Sequence, residues 1–188
     1  MTKDIIISEG IRQFNLKGLK FKMDDISESL HISKKTIYVS FASKEELLMA
    51  MLDTGFAEIH KTKQNILESD LPLVDKLRKV MIAMPDQYLV IDFRSLAGLR
   101  QQYPEVEKHL RKHLENDWEP VIALMEEGIR QGILKPFSIP VLRTMFTASL
   151  ESFLSSSVLK DNEISYSTAL DLMMDIIMEG VTCNEKEN

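Results

Sequence analysis

Apolar positions recur at three- and four-residue spacing along almost the whole chain, and no stretch alternates as a strand would, so the pattern predicts an all-α protein. Ile7, Ile11 and Phe14 form the stripe of a first helix, and Gly18 after Lys17 is a stop signal. A second helix is expected to begin near Asp24, which would cap it, and to bury Ile26 and Leu30. His31, Ile32 and Ser33 leave a break of about three residues before a helix over Lys34 to Val39, with Ser33 as its N-cap. Ser43 and Glu46 have capping-box spacing and start a helix at Lys44 that runs through Leu47, Leu48, Met51 and Leu52 towards Ile66.

Beyond the break at SDLPL, Leu77, Val80, Met81 and Met84 make one stripe, which Pro85 ends. Helices are then expected over about Asp86 to Gln101 and from Pro104 to Arg130, the second closed by Gly132 and kinked or split at Pro120. Two more follow, from Ser138 and Pro140 through Leu154 and from about Ser165 to Glu179.

The 188 residues are 44% apolar and 28% charged, a composition that suits a soluble globular protein. A lone cysteine, Cys183, leaves no internal disulfide framework and reads as an ordinary thiol near a frayed end. The opening MTKDIIISEGIRQF lacks the basic and long apolar regions of a signal peptide, and no apolar run reaches bilayer length. The expected location is therefore cytoplasmic, with no membrane partner. Charge is uneven within the net −6: residues 1–44 carry eight basic groups against five acidic ones, and the rest carry fifteen against twenty-four. A cationic head on an acidic body suits an anionic partner at the amino-terminal end.

Helix, tight turn, short helix is helix-turn-helix spacing, and a two-turn recognition helix must offer long or polar side chains to base edges. Lys34, Lys35, Thr36 and Ser40 meet that need, while Ile37 and Phe41 would dock the helix on Ile26 and Leu30. Tyr38 is placed for a phosphate, and Lys44 begins the next helix, where the free N–H groups also attract an anion.

The stretch GLKFKMDDISESLHISKKTIYVSFASKEEL resembles the DNA-binding head of TetR-family transcriptional regulators, over about residues 4–52. The resemblance rests on Gly18, Asp25, Ile26, Ser33, Thr36, Ile37, Tyr38, Phe41, Lys44 and Glu45 together. It implies a three-helix head at 1–52, a larger helical effector-binding and dimerisation body at 53–188, and an operator-bound homodimer released by a small-molecule effector. It also implies DNA contacts from Ser33, Lys34, Lys35, Thr36, Tyr38, Ser40 and Lys44, with Tyr38 and Lys44 on the phosphate backbone. Three positions depart from the family's habit: Lys22 where Thr is frequent, Ser27 for Ala, and His31 for the Gly of the turn. A positive φ at His31 would cost roughly 1 kcal/mol.

In the body, Met81, Met84, Tyr88, Phe93, Trp118, Met125, Met145 and Phe146 supply adaptable apolar surface for a pocket, and Arg94 is a candidate for orienting a ligand. Ser149, Ser152 and Phe153 on the penultimate helix, with Met174 and Ile177 on the last, are the expected dimer interface, since the last helix is apolar on more than one face. His109 and His113, four apart with Glu105 one turn earlier, have metal-site spacing. Lys108, Arg111 and Lys112 crowd them with like charge, so they read as an exposed helix face and no metal or cofactor is expected. No nucleophile elbow, P-loop or zincin pattern is present, and no enzyme is expected. A ligand-independent regulator or activator and a helical carrier that does not bind DNA remain the competing readings.

Overall fold

The computed structural model describes residues 3–85, 96, 98–155 and 157–183. Helix α1 spans Lys3–Lys17 and gives way at Gly18, whose φ of 56° favours glycine, to a 3-10 turn over Gly18–Lys20. Helices α2 (Met23–Ser29) and α3 (Lys34–Ser40) flank the tight turn, in which His31 takes the left-handed φ of 54°. The α2 cap differs from expectation: the Lys22 backbone N–H donates to Asp25 at 2.7 Å, so Asp25 rather than Asp24 satisfies that end. Asp24 instead ion-pairs with Lys34 at 2.6 Å.

Helix α4 covers Lys44–Glu68, and α5 covers Leu73–Met81 after Pro72. The helix expected over 86–101 lies outside the described residues apart from its end, where a single turn Leu99–Gln102 follows Gly98. Pro120 splits the long pattern, as its missing N–H dictates: α6 is Pro104–Glu115, α7 is Glu119–Arg130 with Pro120 in its first turn, and Asp117 between them adopts φ 61°. Helix α8 (Ile139–Ser155), a turn at Val158–Asp161 that the pattern did not foretell, and α9 (Tyr166–Val181) complete the chain.

Two cores hold these helices. In the first, Ile6, Phe14, Phe21, Ile26, Ile37, Phe41 and Leu47 are buried together, and Leu99, Val106 and Leu110 join them from beyond α5. The amino-terminal half of α4 is therefore packed on α1 from one side and on α6 from another. Ile37 is the buried residue of α3, worth about 2–3 kcal/mol of apolar burial, so that helix is held by one anchor while its other faces stay open. In the second core Leu77, Val80, Val121, Met125, Leu134, Phe146 and Met174 pack α5, α7, α8 and α9.

The α7–α8 corner is closed by backbone. Ile133 and Leu134 both donate to the Gly128 carbonyl at 3.0 Å, and a Cβ at Gly128 would stand 2.6 Å from Leu134 Cδ1. Lys135 N–H donates to the Val181 carbonyl at 2.8 Å and Cys183 N–H to that of Ile133 at 3.1 Å, so the backbone of the exposed Cys183 is held against the α7–α8 corner.

Within the head, Glu9 is buried and accepts from Arg12 Nε (2.8 Å), Arg12 Nη2 (2.7 Å) and Gln13 Nε2 (2.8 Å). The Arg12 guanidinium, helped by Gln13, outweighs burial and holds the Glu9 carboxyl at about 2. A depressed carboxylate contributes stability that is complete above its unfolded value and is lost as pH falls through the folded one. Because Arg12 is half exposed, the contribution is discounted to about 1–2 kcal/mol. Thermal unfolding of the wild type should therefore weaken more steeply than that of Glu9→Gln as pH falls from about 4.5 towards 2, and parallel pH curves would contradict the assignment.

Candidate functional site

The recognition helix presents a row of polar groups because its capping is settled internally. Ser33 Oγ accepts from Thr36 N–H at 3.1 Å and shares a hydrogen bond with Thr36 Oγ1 at 2.9 Å, which fixes the first turn. Ser33, Lys34, Lys35, Thr36 and Tyr38 are exposed, and Ser40 is partly so. Hydrogen bonding and charge from Asp24 raise the Lys34 ammonium above its ordinary value and restrain its reach. Val39, 80% exposed on the same helix, was not singled out from sequence, although its place beside the inward Ile37 and Phe41 signals an outward side chain.

Lys44 behaves differently from the rest. Its Nζ donates to the carbonyls of Leu19 and Phe21, both at 2.6 Å, and lies 4.2 Å above the Phe21 ring and 5.3 Å from that of Tyr103. Burial pushes the ammonium below its ordinary value. This lysine joins the 3-10 turn, α4 and the start of α6, and two of its three donors are spent inside the chain. The start of α4 is capped by Ser43 Oγ accepting from Glu46 N–H at 3.1 Å, with Glu46 accepting from Ala42 N–H at 2.7 Å.

A mainly apolar cavity lies behind the head. Ile11 and Phe14 of α1, and Leu48, Met51, Leu52 and Phe56 of α4, form part of its wall. Of the pocket residues expected from sequence, Met81, Met84, Trp118 and Phe146 line it. Met125 is instead sealed in the second core, and Met145 is 61% exposed on the outer side of α8, one position before the inward Phe146. Tyr88, Phe93 and Arg94 lie outside the described residues. The indole of Trp118 meets Phe146 edge-on at 5.7 Å and the Arg143 guanidinium at 5.6 Å. Sequence reasoning missed the polar members of the lining, Lys63, His113, Asn116, Asp117 and Tyr166. Burial holds the Lys63 ammonium below its ordinary value against the pull of Asp117.

The expected interface residues also divide. Met174 is buried at 0% exposure in its own chain, and Ile177 packs against the second core, so neither heads the outward face of α9. That face carries Leu172 and Ile176, 51% and 74% exposed. On α8, Val141 and Met145 are exposed and Ser149 and Ser152 follow at helical spacing, while Phe153 meets Tyr166 edge-on at 6.5 Å within the chain. Among the described residues no helix is long and apolar enough to cross a membrane.

The model of bacterial regulatory proteins of the tetR family matches residues 6–51. Over 182 residues the chain is 22% identical to the uncharacterized HTH-type transcriptional regulator YvaF of Bacillus subtilis, covering 96% of each. Its fold resembles that of a TetR-family transcriptional regulator from Agrobacterium tumefaciens, with a TM-score of 0.71 and 20% identity over 96% of this chain and 97% of that one. It also resembles FadR from Bacillus subtilis in complex with stearoyl-CoA, with a TM-score of 0.64 and 18% identity over 95% and 96% of the two chains. Residues 6–51 thus form a helix-turn-helix head that matches the tetR family of bacterial regulatory proteins, and the all-helical body that follows shares the fold of solved TetR-family regulators.

Proposed function

We propose that the protein is a dimeric repressor whose head, residues 1–52, binds a roughly palindromic operator and whose body, residues 53–188, takes a mainly apolar effector that releases the DNA. The observation that carries this reading is the shared wall: α1 and α4 of the head line the apolar cavity, so an occupant presses on the elements that hold the recognition helix. Lys35, Thr36, Tyr38 and Ser40 read or hold the duplex, with Ser33 and Lys34 at the helix start. The outward faces of α8 and α9 pair with their copies and set the two heads about one helical turn apart.

Lys63 gives the cavity a cation short of solvent, which favours an effector with an aliphatic body and an acidic end. The stearoyl-CoA complex of FadR is a property of that protein, and it agrees with an acyl-type occupant here.

Selection of bound duplexes from a random pool should enrich a site with two-fold symmetry. Thr36→Ala and Lys35→Ala should each lower discrimination at one position of each half-site by about 1–3 kcal/mol. Fatty acids or their acyl-CoA esters, titrated onto the complex, should release the DNA, at higher concentration for Lys63→Met. A pool that yields no enriched sequence would refute operator recognition, and release indifferent to Lys63 would refute the acidic end.

A further inference from the structure

One titratable cluster lies apart from the recognition helix. Asp53 on α4 faces His109 and His113 on α6, and its Oδ1 stands 2.6 Å from His109 Nε2 and 2.9 Å from His113 Nε2. The three donor atoms all lie within 4.8 Å of one another. The rings are fixed for this convergence: His113 stacks flat on Phe56 at 4.3 Å and 4°, one turn along α4 from Asp53, and His109 meets His113 edge-on at 4.8 Å.

We propose that Asp53, His109 and His113 form a three-ligand site for a zinc-like divalent cation, clasping α4 to α6 and leaving the remaining coordination to solvent. Two imidazoles and one carboxylate are a donor set that zinc accepts, and three protein ligands with an open position are a recurrent arrangement. A tetrahedral ion at the usual bond lengths sets its ligands about 3.3 Å apart, so the 2.6 and 2.9 Å separations open by roughly 0.7 and 0.4 Å while the two imidazole nitrogens, within 4.8 Å of each other, close by up to about 1.5 Å, which side-chain rotation can supply. Both rings must present the Nε2 lone pair, with the proton on Nδ1, so the cation replaces the two hydrogen bonds to Asp53 without any covalent step.

Of the three cations that argued against a metal, Arg111 and Lys108 are answered by acids, and Lys112 is exposed to solvent. Arg111 pairs with Glu107 and, at 2.8 Å, with Glu151, and Lys108 lies 4.0 Å from Glu105. Glu105, the third ligand suggested by sequence spacing, is thereby replaced by an acid from another helix.

The test uses the full chain, freed of any histidine tag, with ZnCl2 in calorimetry and Co²⁺ as the optical probe. One ion per chain is expected, with visible Co²⁺ bands of a low-coordinate site and a rise in Tm on adding Zn²⁺. His109→Ala should weaken uptake at least about tenfold. Asp53→Asn should do the same and lose the Zn²⁺-dependent Tm rise, although its amide oxygen still accepts both hydrogen bonds; it therefore separates ligation from packing. Cys183→Ser, remote in sequence and exposed, should bind as the wild type does. Co²⁺ uptake that is absent, or that is unchanged in both Asp53→Asn and His109→Ala, would overturn the site.

Discussion

Replacing Ile176 and Leu172 together by Asp should convert the protein to a monomer at micromolar concentration and weaken operator binding by a factor on the order of 10³. Both side chains are large, apolar and exposed on one face of α9, four residues apart, whereas their neighbours Met174 and Met178 are buried within the chain. Two carboxylates per copy on a self-pairing face would meet like charge at close range and lose water without compensation. The monomer should still fold, because neither residue belongs to the second core. A single head presents one short recognition helix, so losing the second half-site removes the gain from tethering two such contacts. Sedimentation velocity and operator titration on the same samples decide this. A double variant that stays dimeric would move the interface elsewhere, while a monomer with undiminished affinity would refute the need for pairing.

The second large effect concerns Lys44. As a pure phosphate contact, Lys44→Met would leave stability alone and reduce the salt slope of DNA binding by about one ion. The structure gives this lysine another task, since its ammonium satisfies the Leu19 and Phe21 carbonyls in the turn between α1 and α2. Removing a charged donor from two partly buried carbonyls should cost about 2–3 kcal/mol. For a chain of this size that lowers Tm by roughly 4–12 °C. Calorimetry without DNA reads the effect directly. An unchanged Tm, with only the salt slope reduced, would return Lys44 to the phosphate role that the family resemblance implies.

The contrast between these residues shows what a sequence can carry. Local signals were legible: Ser33 and Ser43 cap the helices they precede, and Pro120 divides one long pattern into α6 and α7. Each of these depends on neighbours within about four residues. The spacing of apolar residues also gave the helices, but it could not say which side of α9 faces inward, because that helix is apolar on more than one side. Met174 was therefore assigned to a partner although it belongs to the chain's own core. The partners of Lys44, more than twenty residues back, and of His109 and His113, across from Asp53, depend on how helices cross. No local pattern encodes that crossing.

Trp118 is the sole tryptophan among the 188 residues, and it is 7% exposed on the cavity wall. Light at the red edge of protein absorption therefore excites one indole at one place, wedged between Phe146 and Arg143. An occupant that touches the ring changes the polarity around it, and the colour and intensity of emission follow. The chain thus carries its own optical gauge of cavity filling, readable in a cuvette without a label and without DNA.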